Sequence, residues 1–276
     1  RVDMGAAWKN LEKLLLELSP DVANMVEFTV GLLGKDKDSN FDFKKSFLNN
    51  FGDDLILFQM PPSGKSLNEL GTGAMAALVM SPNPAELIKG IGAVPGILPP
   101  PLNEAALEPR KLGKHTAHSF GVMELPDPST GELVASEILF AVKDNYMAVS
   151  TDADLLQGLL DGKPQSPLAK LDRLAPAAAA VGGMDSGFFG YQNDRVMVLS
   201  MMDTLRANAD QFEMIFSMIP MEGLDEVSLN DWLDFSLLPA GEKIAKYFDV
   251  TVYGAETVER GISLKIFSPR PPTLKR

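Results

Sequence analysis

Apolar residues recur along the first part of the chain at helical spacing. Trp8, Leu11, Leu14, Leu15 and Leu18 fall on one face of a 3.6-residue repeat. Ser19-Pro20-Asp21 then predicts a restart, with Ser19 as N-cap and Pro20 at the first helical position. Val22, Met25, Val26, Val30 and Leu33 supply the next apolar face, and Gly34 ends it. Phe41–Gly52 predicts a short amphipathic helix, and residues 55–59 a strand.

Three later stretches share one pattern: an apolar strand, a serine, capping residues and a helix. The strands are 74–80, 146–149 and 196–199, followed by Ser81, Ser150 and Ser200. The third helix is expected to run to about Met218. Small polar residues at such junctions satisfy the free N–H groups of a helix start. The copies are unevenly spaced, so the pattern is a weak internal repeat and not a solenoid. Residues 90–112 are rich in Gly and Pro and read as a linker. Residues 114–124 and 135–143 then alternate as strands around the turn Pro126–Gly131, and Asp144-Asn145 turns the chain again. A helix near 240–247 and strands at 248–254 and 260–267 close the chain. Consecutive hairpin-like strands favour an α+β fold, an antiparallel sheet with helices mainly on one face. The expected division is 1–105 and 106–276, or one continuous domain.

Composition narrows the function classes. The 276 residues are 45% hydrophobic and 22% charged, ordinary for a folded protein. The net charge of −12 disfavours nucleic acid and anionic membrane surfaces as partners. The absence of cysteine removes disulfides, thiolate metal sites and cysteine nucleophiles, and it favours an exported protein. No run approaches the roughly 18 apolar residues of a membrane span, since Pro95, Pro99, Pro100 and Pro101 break the best stretch. The first residues, Arg1-Val2-Asp3-Met4, suggest a processed or truncated start with no visible signal peptide.

The candidate chemistry fails on spacing. Gly64-Lys65-Ser66 resembles the end of a phosphate loop, but Gln59 stands where its first glycine belongs. Gly71-Thr72-Gly73 precedes a strand and so lacks a helix N-terminus for phosphate. His115 and His118 lie on a predicted strand, where residues three apart face opposite ways. Gly183–Gly187 has Met184 where a nucleophile elbow needs glycine before Ser186. Asp36, Asp38, Asn40 and Asp42 are spaced like the first ligands of a calcium loop, but Phe41 and Phe47 occupy its glycine and glutamate positions. Glu222, Asp225, Glu226, Asp231 and Asp234 read as a solvated acidic face. These readings assign no catalytic, cofactor-binding or metal residue.

Two apolar features remain. Met197, Met201, Met202, Met214, Met218 and Met221 cluster around one predicted helix. Methionine fills cores and also lines adaptable apolar surfaces. The stretch 91–102 is apolar and Pro-rich, which suits packing over a sheet edge or docking on another chain.

Asp42-Phe43-Lys44-Lys45 and Phe51-Gly52-Asp53-Asp54, within Phe41–Gln59, resemble an element of an uncharacterised family of exported proteins from planctomycete and verrucomicrobial-type bacteria. Ser46 departs from that family's usual acidic residue. Phe140–Leu160 resembles the family's strand pair, serine and helix, and Gly261–Pro269 its closing strand. The resemblance implies export to the periplasm or cell surface and a non-enzymatic role. The expected function is therefore protein binding or assembly, with loop 91–102 as the contact. A carrier of lipid or another apolar ligand is the first alternative, and a hydrolase the second.

Overall fold

A computed structural model describes residues 4–35, 38–61, 73–98, 105–126, 133–162, 168–211 and 237–274. The chain divides into two compact units. One is Arg1–Gln59 with Ala74–Lys163, and the other is Met60–Gly73 with Pro164–Arg276. The expected break at 105/106 falls inside the first unit, because strands on either side of it pair with each other.

The first unit opens with α1 (Met4–Leu18) and α2 (Pro20–Leu32). Ser19 caps α2, its Oγ accepting the Val22 N–H, and Pro20 occupies the first turn. Gly34 follows at φ +76°, a conformation glycine adopts without strain. The amphipathic segment after it is shorter than expected: α3 (Phe43–Ser46), capped by Asp42, passes into a 3-10 turn at Leu48–Asn50.

A six-stranded antiparallel sheet follows, built from β1 (Leu55–Gln59), β2 (Met75–Met80), β3 (Leu107–Leu112), β4 (His115–Pro126), β5 (Leu133–Lys143) and β6 (Tyr146–Ser150). Their spatial order is β1-β2-β6-β5-β4-β3. The fold class is α+β, as expected. Strand β3 corrects the sequence reading, which placed 107–112 in a linker; it zips onto β4 from Leu107 opposite Phe120 to Leu112 opposite His115.

Helices α4 (Pro84–Ala93) and α5 (Ala153–Asp161) cover the sheet from opposite sides, not mainly from one. One face presents small residues, Ala117, Ala141 and Ala148, to Leu156 and Leu160 of α5. The other packs Phe140 and Met147, with Phe120, Ile138 and Val149 beside them, on Leu87 and Ile88 of α4. The strand–serine–helix repeat is real in its first two copies. The hydroxyl of Ser81 accepts the Asn83 N–H at 3.1 Å, and that of Ser150 accepts the Asp152 N–H at 3.0 Å. Asn83 and Asp152 then cap α4 and α5. Strand alternation puts Ser81 on the side of Val79 and Ser150 on the side of Ala148. These are the faces that α4 and α5 respectively cover.

The third copy is not formed as expected. Residues 196–199 belong to helix α7 (Asp194–Ala207), capped by Asn193, and the strand before it is β7 (Phe188–Gln192). A run of Val, Met, Val and Leu is compatible with either state, and the Asn193 cap three residues earlier decides it. In the second unit β7, β8 (Thr251–Val258) and β9 (Gly261–Phe267) form an antiparallel sheet in that order. Helix α6 (Leu174–Ala180) packs Leu174 and Ala177, with Val181 just after its end, on Val252, Phe189 and Tyr191. Helix α8 (Gly241–Ala245) lies against α7. Gly254 makes the contact with α6 possible, since a Cβ there would sit 2.3 Å from the Val181 carbonyl oxygen.

Two stability outcomes follow from this packing. Leu156 is fully buried among alanines that cannot expand to fill a void. Leu156→Ala should cost about 2–5 kcal/mol in urea unfolding. Gly254→Ala should cost about 1–3 kcal/mol by displacing the Val181 backbone; a neutral result would show that α6 is not held against β8.

Candidate functional site

The hairpin α1–α2 is anchored at its base and bare elsewhere. Trp8, Val30 and Leu33 join Phe43, Leu48 and Ala93 in a small core. Beside it the Trp8 indole N–H donates to Glu12 Oε1 at 2.6 Å, and Lys44 Nζ donates to the same oxygen at 2.8 Å. Lys44 also reaches Glu27 at 3.5 Å, so one ammonium ties α1, α2 and α3 together. Lys44 holds the Glu12 carboxyl below its ordinary range, and Glu12 in turn raises Lys44; burial opposes both effects. These groups line a pocket of about 170 Å³ with Leu15, Leu16 and Val26.

Above that anchor the apolar residues face solvent. Leu11, Leu14 and Leu18 on α1 repeat at spacings of three and four, as do Met25, Phe28 and Leu32 on α2, and all six are exposed. Leu18 is 74% and Phe28 68% exposed. Helix α2 has no buried residue. Large apolar side chains exposed in rows, rather than scattered singly, are uncommon on the surface of a monomer. The sequence reading put Leu11, Leu14, Leu18 and Met25 on core faces. It missed Phe28 and Leu32, which lie off the predicted stripe.

The second unit carries an open cleft of about 520 Å³. At its floor Asp194 Oδ2 accepts from the Thr251 hydroxyl, which also meets Ser268 Oγ at 2.7 Å. Gln192 Nε2 donates to Asp194 Oδ1 at 2.7 Å. Asp249 is paired with Arg173. Tyr191 lies on the opposite side of β7; burial first, and then the Asp249 charge, push its hydroxyl upward. Both carboxylates of the cleft therefore already have partners, and no histidine lines it. Asp194, Thr251 and Ser268 are far apart in sequence, so no local spacing could have announced them.

The other expected residues are dispersed. His115 Nε2 lies 3.0 Å from Asp161 Oδ1, whereas His118 stands across from Phe140 on the other face. Strand alternation separates the two rings as expected. Asp161 is held below its ordinary range by His115 first and then Lys114. Asp38 Oδ1 accepts the Asn40 N–H and Asp42 Oδ1 the Lys45 N–H, while Asp36 lies outside the described residues. Among the described residues no three acidic or histidine side chains gather for a metal. Ser186 donates to the carbonyls of Gly183 and Phe188 ahead of a strand, not a helix. Residues 64–66, 71–72 and the acidic stretch 222–234 lie outside the described residues, as do Met214, Met218 and Met221.

The stretch 91–102 changes character. Ile91–Ala93 end α4, and Val94–Ile97 form a 3-10 turn. Ala93 is buried in the unit's own core with Ile91 and Val94 packed beside it, and Leu98 is exposed. Residues 99–102 lie outside the described residues. Among the described helices none is long and apolar enough to cross a membrane. Comparison of the chain with protein-family models, curated proteins and solved structures found no match.

The anchor titrates in a defined direction. Glu12 has a depressed pKa, so its contribution is present above the ordinary carboxylate range and is lost as pH falls through the folded value. Lys44, raised, loses its share only at alkaline pH. About a third of the Glu12 side chain is exposed, which limits the effect. Glu12→Gln should cost at most about 1 kcal/mol at neutral pH. The difference from the unmodified chain should shrink in strongly acidic buffer; urea titrations at the two pH values measure it.

Proposed function

We propose that this chain is a non-catalytic protein of the bacterial envelope that binds another protein through the hairpin α1–α2. The observation that carries this reading is α2, an apolar helix with no fully buried residue, which turns only Val30 toward its unit's core and leaves Met25, Phe28 and Leu32 exposed. The hairpin takes the part that sequence alone assigned to residues 91–102. Its surface suits protein better than lipid. Residues 4–33 hold Lys9 and Lys13 against Glu12, Glu17, Asp21 and Glu27, an acidic balance that an anionic bilayer repels. The pocket between the helices, about 170 Å³, is smaller than the roughly 300 Å³ at which ligand sites begin. That weighs against a carrier site in the hairpin, while the cleft of about 520 Å³ beside Met197 and Val198 keeps the carrier of an apolar ligand as the alternative reading. The hydrolase reading has only the buried Thr251 hydroxyl, with Ser268, beside the Asp194 carboxylate in the open cleft, and no histidine lines it to serve as base. Placement outside the cytosol belongs to the same proposal. Its support is the lack of cysteine and the resemblance carried by Asp42–Lys45 and Phe51–Asp54.

A photo-crosslinking amino acid at position 28, in cells that make the protein, tests the reading. Discrete protein adducts are expected from position 28 and not from the same group at Lys13, which sits among exposed charges. Adducts to lipid alone, or none beyond the Lys13 control, would overturn it.

A further inference from the structure

The second unit presents a different unpartnered element. Strand β9 is the edge of its sheet, and no described strand lies on its open side. The two-residue turn Glu259-Arg260 closes on the hydrogen-bonded pair Val258 and Gly261. Odd-numbered residues of β9 therefore direct their N–H and C=O groups to β8, and Ile262, Leu264 and Ile266 direct theirs outward. The same three residues carry side chains 78%, 61% and 60% exposed. Natural edges are guarded by proline, a bulge, a short strand or a charged side chain, lysine above all. Strand β9 has no proline and no bulge. Its register against β8 is regular, and its one charge, Lys265, lies on the other face, tied to Glu256 at 2.7 Å.

We propose that β9 pairs antiparallel with β9 of a second copy of this chain, joining two three-stranded sheets into one of six. The order Ile262-Ser263-Leu264-Lys265-Ile266 is symmetric in its apolar positions about Leu264. A two-fold axis there sets Leu264 against Leu264 of the second copy and Ile262 against its Ile266. All outward N–H and C=O groups of the three residues are then used in hydrogen-bonded pairs. Each Lys265 meets a serine across the axis. An axis at Lys265 would oppose two ammonium groups, and one at Ser263 would leave Ile266 facing the turn residue Arg260. The favoured register is thus the one that keeps every apolar pair and no like-charge pair. A chain of net charge −12 repels its own copies over most surfaces, and this edge is locally neutral. Seven residues of edge make a small interface, so the dimer is reversible, with Kd on the order of micromolar or weaker.

Sedimentation velocity of the whole chain over a wide concentration series tests the pairing. A monomer–dimer equilibrium is expected. Leu264→Glu, at an exposed site, should raise the dimer Kd by at least about tenfold with an unchanged circular dichroism spectrum. Met25→Glu/Phe28→Glu, on the hairpin, should leave the dimer intact, which separates this inference from the proposed function. Leu264→Cys should form a disulfide-linked dimer on mild oxidation, since the chain has no other thiol to compete. A monomer at all concentrations would overturn the proposal, whether or not the β9 amides are protected from exchange. So would a dimer insensitive to Leu264→Glu, or a Leu264→Cys chain that stays unlinked.

Discussion

Strands β2 and β6 lie side by side within the six-stranded sheet of the first unit, and both helices that cover that sheet depend on their pairing. Each strand ends in a buried serine that turns the chain into a capped helix. The two strands run antiparallel, with Ala76 opposite Ser150 and Met80 opposite Tyr146. Ser150 also donates to the Met75 carbonyl, so one hydroxyl binds the neighbouring strand and starts α5. A buried hydroxyl with both its donor and an acceptor position used carries little desolvation cost. The pairing further fixes which side chains share a face. It stacks Ala148 between Ala141 and Leu78, and this flat surface is what admits Leu156 and Leu160. A slip of one residue would exchange that surface with the bulky Phe140–Met147 face and leave both helices misfitted.

The same hydrophobic effect that builds these cores is left unspent elsewhere. The stripes on α1 and α2 and the row on β9 are regular in period, as core-forming residues are, and yet they face water. Scattered exposed leucines are normal, but period-three-and-four rows on two adjacent helices are not. Both surfaces belong to elements fixed at one side by specific polar contacts. Lys44 holds the hairpin, and the Glu256–Lys265 pair braces β9. The surfaces are therefore presented on ordered elements, whose side chains would have less freedom to lose if covered.

Much of this architecture was legible before the structure. Ser19-Pro20, Gly34, the strand at 55–59, the meander from β4 to β6 and the closing β8–β9 hairpin were all read from caps, turns and alternation. What escaped did so for physical reasons. Strand β3 (Leu-Glu-Pro-Arg-Lys-Leu) has an apolar residue only at each end, and proline in a strand argues against it unless the strand is an edge, as here. The misread strand at 196–199 is a short apolar run, which periodicity alone does not assign. Opposite placement of α4 and α5 rests on whether each serine falls on an odd or even strand position, a signal present in the sequence but readable only once β2 and β6 are known to pair. Which apolar helix faces stay bare has no local signature, because Trp8 and Leu18 share a stripe and only tertiary packing separates their fates.

The polar residues complete the argument from the other side. Asp42, Asn83, Asp152 and Asn193 spend their side-chain oxygens on helix starts. Glu12, Asp161 and Asp249 spend theirs on cations or a histidine, and Asp194 on Thr251 and Gln192. A catalytic carboxylate or hydroxyl has to keep a face open toward substrate. Here the groups that sequence spacing made tempting, Asp38, Asp42 and Ser186, are engaged with their own backbone within three residues. Local hydrogen bonding of that kind stabilises turns and caps. It leaves the apolar rows of α1, α2 and β9 as exposed apolar surface on ordered elements, while among the described buried polar side-chain atoms His118 Nδ1 is the one without a hydrogen-bond partner.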